Sequence, residues 1–232
     1  MILNYNSFLD VLLDAGFSMG GGNDDGIYAI INWGWNEAAP YKTPIVWHCG
    51  DPDIDPWEWR MRVLHEHNDI AYAKLFFKKS GFITRKWYPY FLAVRRPLGL
   101  DFDEAYESGI ISHAAKRIYT EVATNGMMPT HEMKKAAGFG SDEKSIFDKA
   151  LTELQMGMFL TMCGKAYKST KQMDNNNAWA STVLCTTETF FPEAFAEAEK
   201  IDKATAIETI KSQILTLNPN ATDKKIQKFI TG

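Results

Sequence analysis

The region from Ser112 to Phe190 constrains the fold most strongly, because it places three helical patterns before two apolar runs. The patterns cover His113–Asn125, Thr130–Ala137 and Asp142–Met156, and Gly-rich breaks separate them. Apolar residues recur at helical spacing in the third pattern, and Ser141 is predicted to be its N-cap. The order predicts three short helices that pack on one another.

Two apolar runs follow the third helix. They cover Met158–Cys163 and Ala178–Cys185, and the segment between them contains Lys165, Lys168 and Lys171. Each run has the length and the β-branched or aromatic content of a strand. Three helices followed by a hairpin with a basic tip is the layout of a winged helix-turn-helix module.

The rest of the chain frames this region. We predict an α+β fold in three parts: an N-terminal α+β region over 1–111, the winged-helix module over 112–190, and a C-terminal helical cover over 191–232. The chain has 232 residues, 45% of them hydrophobic, which suffices for a packed core. Composition of this kind argues against wholesale disorder.

The N-terminal region contains alternating helix and strand signals. Asp55 followed by Pro56 is typical of an N-cap and first helical position, so a helix is expected to begin there. The predicted helices are 5–15, 57–64 and 85–96, and the predicted strands are 27–31, 70–77 and 81–84.

Charge restricts where nucleic acid could bind. The formal net charge is -4, and residues 113–190 contain 9 basic and 8 acidic residues. A binding surface must therefore be a local patch rather than a property of the whole domain. The candidate nucleic-acid-binding residues are Lys144, Ser145, Lys149, Lys165, Lys168, Lys171, Arg85 and Lys86.

The third helix is predicted to be a poor reader of DNA. A recognition helix enters the major groove through its N-terminal residues, and the face away from the core contains Lys144, Ser145 and Lys149. Asp142, Glu143 and Asp148 would repel the DNA phosphates. The lysines of the hairpin are therefore the stronger candidates, because ammonium groups displace condensed counterions.

Metal and cofactor sites are not indicated. His65 and His67 are two residues apart, which directs the two rings away from each other on a helix, although they would share one face of a strand. We predict no metal and no cofactor. Cys49, Cys163 and Cys185 are widely separated and odd in number, so a disulfide framework is not expected.

The N-terminus lacks a basic segment followed by an apolar one, and the chain contains no apolar run of membrane-spanning length. The sequence therefore predicts a cytoplasmic protein that does not associate with membranes.

The chain resembles the AlkZ-related winged-helix proteins of bacteria, which are distant relatives of the alkyl-DNA glycosylases. The resemblance covers most of residues 55–192 and rests on three segments: Phe82–Phe91, Phe147–Gln155 and Phe190–Pro192. It implies a winged-helix fold and a DNA-linked ancestry.

A Gln-x-Gln motif carries base excision in the glycosylase relatives. The glutamines here, Gln155, Gln172, Gln213 and Gln227, are isolated from one another. The resemblance therefore does not extend to glycosylase activity, and an enzyme is the less favoured interpretation.

Three functions remain open at this point. The first is non-enzymatic DNA binding, and the second is a protein–protein interaction module with the acidic N-terminal half exposed. The third is chemistry on a modified base, which would need a carboxylate or amide in a cleft near aromatic and basic side chains. The residues considered for that cleft are Trp57, Trp59, Arg60, Trp87 and Tyr90.

Overall fold

The structure is a computed structural model that describes residues 1–96, 101–167 and 180–232. Within these ranges the chain forms a mixed α/β fold with a six-stranded antiparallel sheet and eleven helices. The strands are β1 (Phe17–Met19), β2 (Ile70–Phe76), β3 (Lys79–Thr84), β4 (Met128–Pro129), β5 (Leu160–Tyr167) and β6 (Ala180–Thr186). The helices are α1 (Tyr5–Ala15), α2 (Pro56–Glu66), α3 (Tyr88–Arg95), α4 (Phe102–Glu107), α5 (His113–Asn125), α6 (Thr130–Ala136), α7 (Lys144–Met156), α8 (Thr187–Phe190), α9 (Pro192–Ala198), α10 (Lys203–Leu217) and α11 (Asp223–Thr231).

The sheet has the strand order β1-β3-β2-β5-β6-β4. Two hairpins, β2–β3 and β5–β6, therefore lie side by side, and both were predicted as strand pairs from the sequence. They meet where Tyr72 of β2 opposes Met162 of β5. The β5–β6 register shifts between Met162 and Gly164, which is the signature of a bulge that bends the strand.

Helices cover the sheet on both faces. Alternate side chains of β2 point to opposite sides of the sheet and pack against these two sets of helices. Ala71 and Ala73 belong to a core cluster shared with α3, α10 and α11. Ile70 and Tyr72 belong to a second cluster shared with α1 and α2. A third cluster joins residues between 102 and 184, from α4 to β6.

One arginine connects three elements at the base of the first core cluster. Arg95, the last residue of α3, donates to four backbone carbonyls, and burial lowers the pKa of its guanidinium to about 9. Carbonyls at helix ends have no partner within the helix, and a cation is the favoured partner there. The acceptors, at 2.6–3.2 Å, are the carbonyl oxygens of Leu75, Met156, Phe229 and Ile230.

The connection between α1 and β1 requires glycine. Gly16 closes α1 in the left-handed region at φ 87°, and its N–H bonds the carbonyl of Leu12. A Cβ on this residue would lie 2.0 Å from the indole of Trp87. Both the backbone angle and the close approach exclude a larger residue.

The strand predicted at 27–31 is wrong. Ile27 donates its N–H to the carbonyl of Asp24, which makes a turn of this segment. The following residues run beside β1. There the backbone N–H of Met19 donates to the carbonyl of Tyr28, and the N–H of Ile30 donates to the Ser18 hydroxyl. The backbone N–H groups of Ile27 and Ile30, which a strand would use for pairing, therefore bond within a turn and to a side chain.

One predicted helix start is wrong, and one helix was not predicted. Glu143, not Ser141, is the N-cap of α7, because the carboxylate of Glu143 bonds the N–H of Gly140 and a turn precedes the helix. The sequence analysis did not predict α4, which Asp101 and Glu104 stabilise with a reciprocal capping box. No helix in the described ranges is long and apolar enough to cross a bilayer.

Candidate nucleic-acid interface

The predicted residues on α7 share a solvent-facing surface. Lys144, Ser145 and Lys149 are all exposed, whereas Phe147 and Ala150 are buried against the third core cluster. The N-terminal half of the helix thus presents a polar, partly basic face. Asp142 and Asp148 are also exposed, so the negative charges expected from the sequence lie on the same surface.

The predicted basic pair after β3 lies elsewhere. Arg85 forms an ion pair with Glu193 of α9 at 3.1 Å, and its backbone N–H bonds the carbonyl of Asp69. Lys86 is exposed next to it. In the described part of the chain neither residue forms a hydrogen bond or ion pair with α7, so this pair and the α7 lysines are not joined.

Of the three lysines predicted for the hairpin, one lies in the part of the chain that the structure describes. Lys165 lies on β5 opposite Thr182 of β6 and is exposed. Lys168 and Lys171 lie outside the described residues. The structure brings Lys165 together with α2 rather than with α7, which the sequence did not predict.

Lys165 lines a groove between α2 and the β5–β6 hairpin. The groove has a volume of about 170 Å³ and a mixed polar and aromatic lining. Its lining residues are Trp57, Glu58, Arg60, Met61, Lys165, Ser181 and Thr182. A second cavity continues along α2 past Arg62, His65 and Glu66 and shares Lys165.

The start of α2 determines which side chains reach the groove. Asp55 caps the helix and Pro56 occupies its first position, as predicted. From that start, helical spacing directs Trp59 and Val63 into the core, where they are 1% and 0% exposed. Trp57 and Arg60 then fall on the outer side, and Trp57 is 44% exposed.

Two arginines of α2 differ in their electrostatic surroundings. Arg62 bonds Glu66 at 2.8 Å, and this bond holds the pKa of the Glu66 carboxyl below its usual range. The guanidinium of Arg60 lies 3.3 Å from the centroid of the Trp57 ring. Among the described residues Arg60 forms no ion pair, so its charge is available to an anionic ligand.

The residues considered for base chemistry lie in three places, and Trp59 is buried in the second core cluster. Trp57 and Arg60 reach the groove together with Glu58, which supplies a carboxylate there. Trp87 packs edge-on against Phe17 at 5.3 Å and near Tyr90 at 5.7 Å, on the first core cluster.

A row of aromatic side chains beside the groove was missed from the sequence. Trp35 is 74% exposed, and the His48 ring lies between it and Trp57. The sequence signal was the number of tryptophans between residues 33 and 59, which are Trp33, Trp35, Trp47, Trp57 and Trp59.

Histidines near α2 do not form a cluster. His65 is exposed on the last turn of the helix, and His67 is the C-cap residue. The Nδ1 atom of His67 lies 3.4 Å from a carboxylate oxygen of Asp69. No group of three or more His, Cys, Asp or Glu side chains suited to a metal ion occurs in the ranges 1–96, 101–167 and 180–232.

Comparison with known proteins extends the resemblance seen in the sequence. No curated protein and no solved structure matches the chain. A family model described as AlkZ related matches residues 2–231, nearly the whole chain. The match covers all six strands and the groove, so the chain belongs to the AlkZ-related family.

Proposed function

We propose that this protein binds DNA without catalysing a reaction, through a winged-helix module made of α5, β4, α6, α7, β5 and β6. The order of these elements supports the module: β4 lies between the first two helices and pairs with β6 through Met128↔Leu184 and Pro129↔Val183. Such a short strand closes a winged helix by joining the helical part to its hairpin. The domain boundaries at 111 and 190 remain predictions.

The shared core supports the same unit. The third cluster joins Ile118 of α5, Met133 of α6, Leu154 of α7 and Leu184 of β6. Helices that bury a common set of side chains present a fixed outer surface. That surface includes the exposed face of α7.

The observation that carries the proposal is the position of Lys144, Ser145 and Lys149. All three project to solvent from the half of α7 that a helix-turn-helix protein inserts into the major groove. Asp142 and Asp148 weaken attraction to phosphate on the same face. The expected binding is therefore weak, sensitive to salt and not selective for sequence.

Fluorescence anisotropy with a labelled duplex at low salt tests this proposal. A Lys144→Ala/Lys149→Ala variant should bind roughly fivefold to tenfold more weakly, because two phosphate contacts are lost. Lys200→Ala/Lys203→Ala is the matched control, since both lysines are exposed near α10. Equal affinities for the wild type and the α7 variant, or equal losses for both variants, would contradict the role of α7.

One observation favours chemistry on a modified base as a second candidate. Glu58 shares the groove with Trp57 and Arg60, which places a carboxylate beside an aromatic ring and a cation. Chemistry on an extruded base needs a carboxylate or an amide in such a cleft, and Glu58 supplies the carboxylate. Incubation with alkylated duplex DNA, followed by alkaline heating, would reveal abasic sites as strand breaks that a Glu58→Gln variant fails to produce. Absence of breaks with the wild type would exclude this activity for the lesions used.

A further inference from the structure

The outer surface beside the groove carries an exposed row of aromatic rings. Trp35 is 74% exposed and Trp57 is 44% exposed. The His48 ring, also on an exposed residue, has its centroid 6.4 Å from Trp35 and 4.9 Å from Trp57. Single exposed apolar residues are ordinary on a protein surface, but three adjoining rings indicate a surface that contacts a ligand.

A buried carboxylate holds two of these rings in place. Asp55 is 0% exposed, and its oxygens accept the backbone N–H groups of His48, Gly50 and Trp57 at 2.9–3.0 Å. One side chain thus joins the loop of His48 to the first turn of α2. His48 lies in the left-handed region at φ 58°, a conformation that a residue with a Cβ adopts only when its surroundings enforce it.

Positive charge lies at one end of the row. The guanidinium of Arg60 lies over the Trp57 ring, and its Nε donates to the Trp57 carbonyl at 2.8 Å. Lys165 and the Thr182 side chain line the groove next to it. Ammonium, guanidinium and hydroxyl groups are the side-chain donors that proteins use for phosphate oxygens. Glu58 is the acidic residue of the same lining.

These features favour one class of ligand. Planar rings beside cations match nucleotides whose base faces are free, since every base can stack on an aromatic ring and every phosphate is anionic. Bases in a duplex stack on each other and cannot stack on Trp35. The row therefore distinguishes single-stranded from double-stranded nucleic acid.

We propose that the row formed by Trp35, His48 and Trp57 binds unpaired bases of single-stranded DNA, with Arg60 and Lys165 contacting the phosphates. This rests on the proposed DNA-binding function and adds a second surface to it. The α7 face would contact duplex, and the aromatic row would contact an adjoining unpaired strand.

Anisotropy with fluorescein-labelled oligothymidylate and with a duplex of equal length separates the two surfaces. Trp35→Ala should weaken binding of the oligothymidylate about 5-fold to 150-fold, the loss expected for one stacked base, and should change duplex affinity less than twofold. Trp35→Phe, which keeps an aromatic face, should retain most of the affinity. Leu215→Ala, which removes a partly exposed apolar side chain on α10, is the control and should change neither.

The outcomes distinguish failure of the aromatic row from failure of DNA binding as a whole. If the wild type binds both probes and Trp35→Ala binds them equally well, the aromatic row is not the site, although DNA binding stands. If Trp35→Ala weakens both probes equally, the selectivity for unpaired bases is wrong. Failure of the wild type to bind either probe at tens of micromolar overturns both proposals and favours a protein partner for the row. Trp57→Ala, with a circular dichroism spectrum matching the wild type, repeats the test at a second ring.

Discussion

The side-chain oxygen of Gln155 accepts a hydrogen bond from the backbone N–H of Lys74 at 3.0 Å. Gln155 is 1% exposed, and its amide nitrogen donates back to the carbonyl of Leu151 in its own helix. Near this point the two hairpins meet through the pair Tyr72↔Met162. The glutamine takes the place of a strand partner, and it fixes α7 to the N-terminal half of the sheet.

Replacing this glutamine should destabilise the fold. Gln155→Leu leaves the partly buried Lys74 N–H without its acceptor, and loss of a hydrogen bond of this kind costs about 1 kcal/mol. Urea unfolding monitored by circular dichroism measures the loss. Gln227→Leu, at an exposed position of α11, is the control and should lie within about 0.5 kcal/mol of the wild type. A Gln155→Leu protein as stable as this control would show that the bond is not required.

Asp55 should be as important for the loop that carries His48. Asp55→Ala removes the acceptor of three backbone N–H groups, including the N-cap bond to Trp57. The free energy of unfolding should fall by about 2 kcal/mol or more. Heat denaturation measures this, with exposed Asp10→Ala as the control.

The loop should also move away from α2 in the Asp55→Ala variant. Trp57 would then lose its contact with the His48 ring, and tryptophan fluorescence should change as this contact is lost. An unchanged emission spectrum together with unchanged stability would contradict a tethering role.

Substitution of Arg95 should lower the free energy of unfolding more than substitution of an exposed arginine. Arg95→Met leaves four backbone carbonyls at the ends of β2, α7 and α11 without their donor, so stability should drop by about 3 kcal/mol. Arg95→Lys should recover part of this, because an ammonium group has fewer donors. Arg85→Met is the comparison: its exposed pair with Glu193 should contribute at most about 1 kcal/mol. Similar losses at both arginines would contradict the assignment.

Part of this architecture follows from sequence alone. The Asp55-Pro56 start predicted α2, and pairs of apolar runs of strand length predicted both hairpins. Local patterns suffice in these cases because the residues that fix each element are neighbours in the chain. The joining of the hairpins was not predictable, since it depends on the single pair Tyr72↔Met162 and on Gln155, which are far apart in sequence.

The residues of the groove were predicted from the sequence only in part. The sequence identified Trp57, Arg60 and Lys165 as residues of interest, but assigned the first two and the third to different hypotheses. Only the packing of α2 beside β5 brings them together. The strand prediction for Ile27–Ile31 was wrong although these residues have high β propensity. The N–H of Ile30 donates to the hydroxyl of Ser18 instead of pairing with a strand.

Alkaline pH should unfold the protein through its buried tyrosines. Burial raises the pKa of Tyr5 to about 12 and that of Tyr119 to about 12, and it also raises the pKa of Tyr88. The unfolded chain loses these protons near pH 10, so the stability they provide is complete below pH 10 and is lost as the pH rises towards 12. Unfolding and tyrosinate absorbance should therefore rise together above pH 10. Ionisation of these tyrosines without unfolding would contradict their burial.

The salt dependence of duplex binding by the wild-type protein tests the central claim most directly. Affinity measured by anisotropy from low to physiological ionic strength should fall linearly on a log–log plot, because lysines on α7 release counterions from the duplex. The slope should become shallower in Lys144→Ala/Lys149→Ala and remain unchanged in Lys200→Ala/Lys203→Ala. Binding that does not depend on salt, or no binding at tens of micromolar in low salt, would contradict the account.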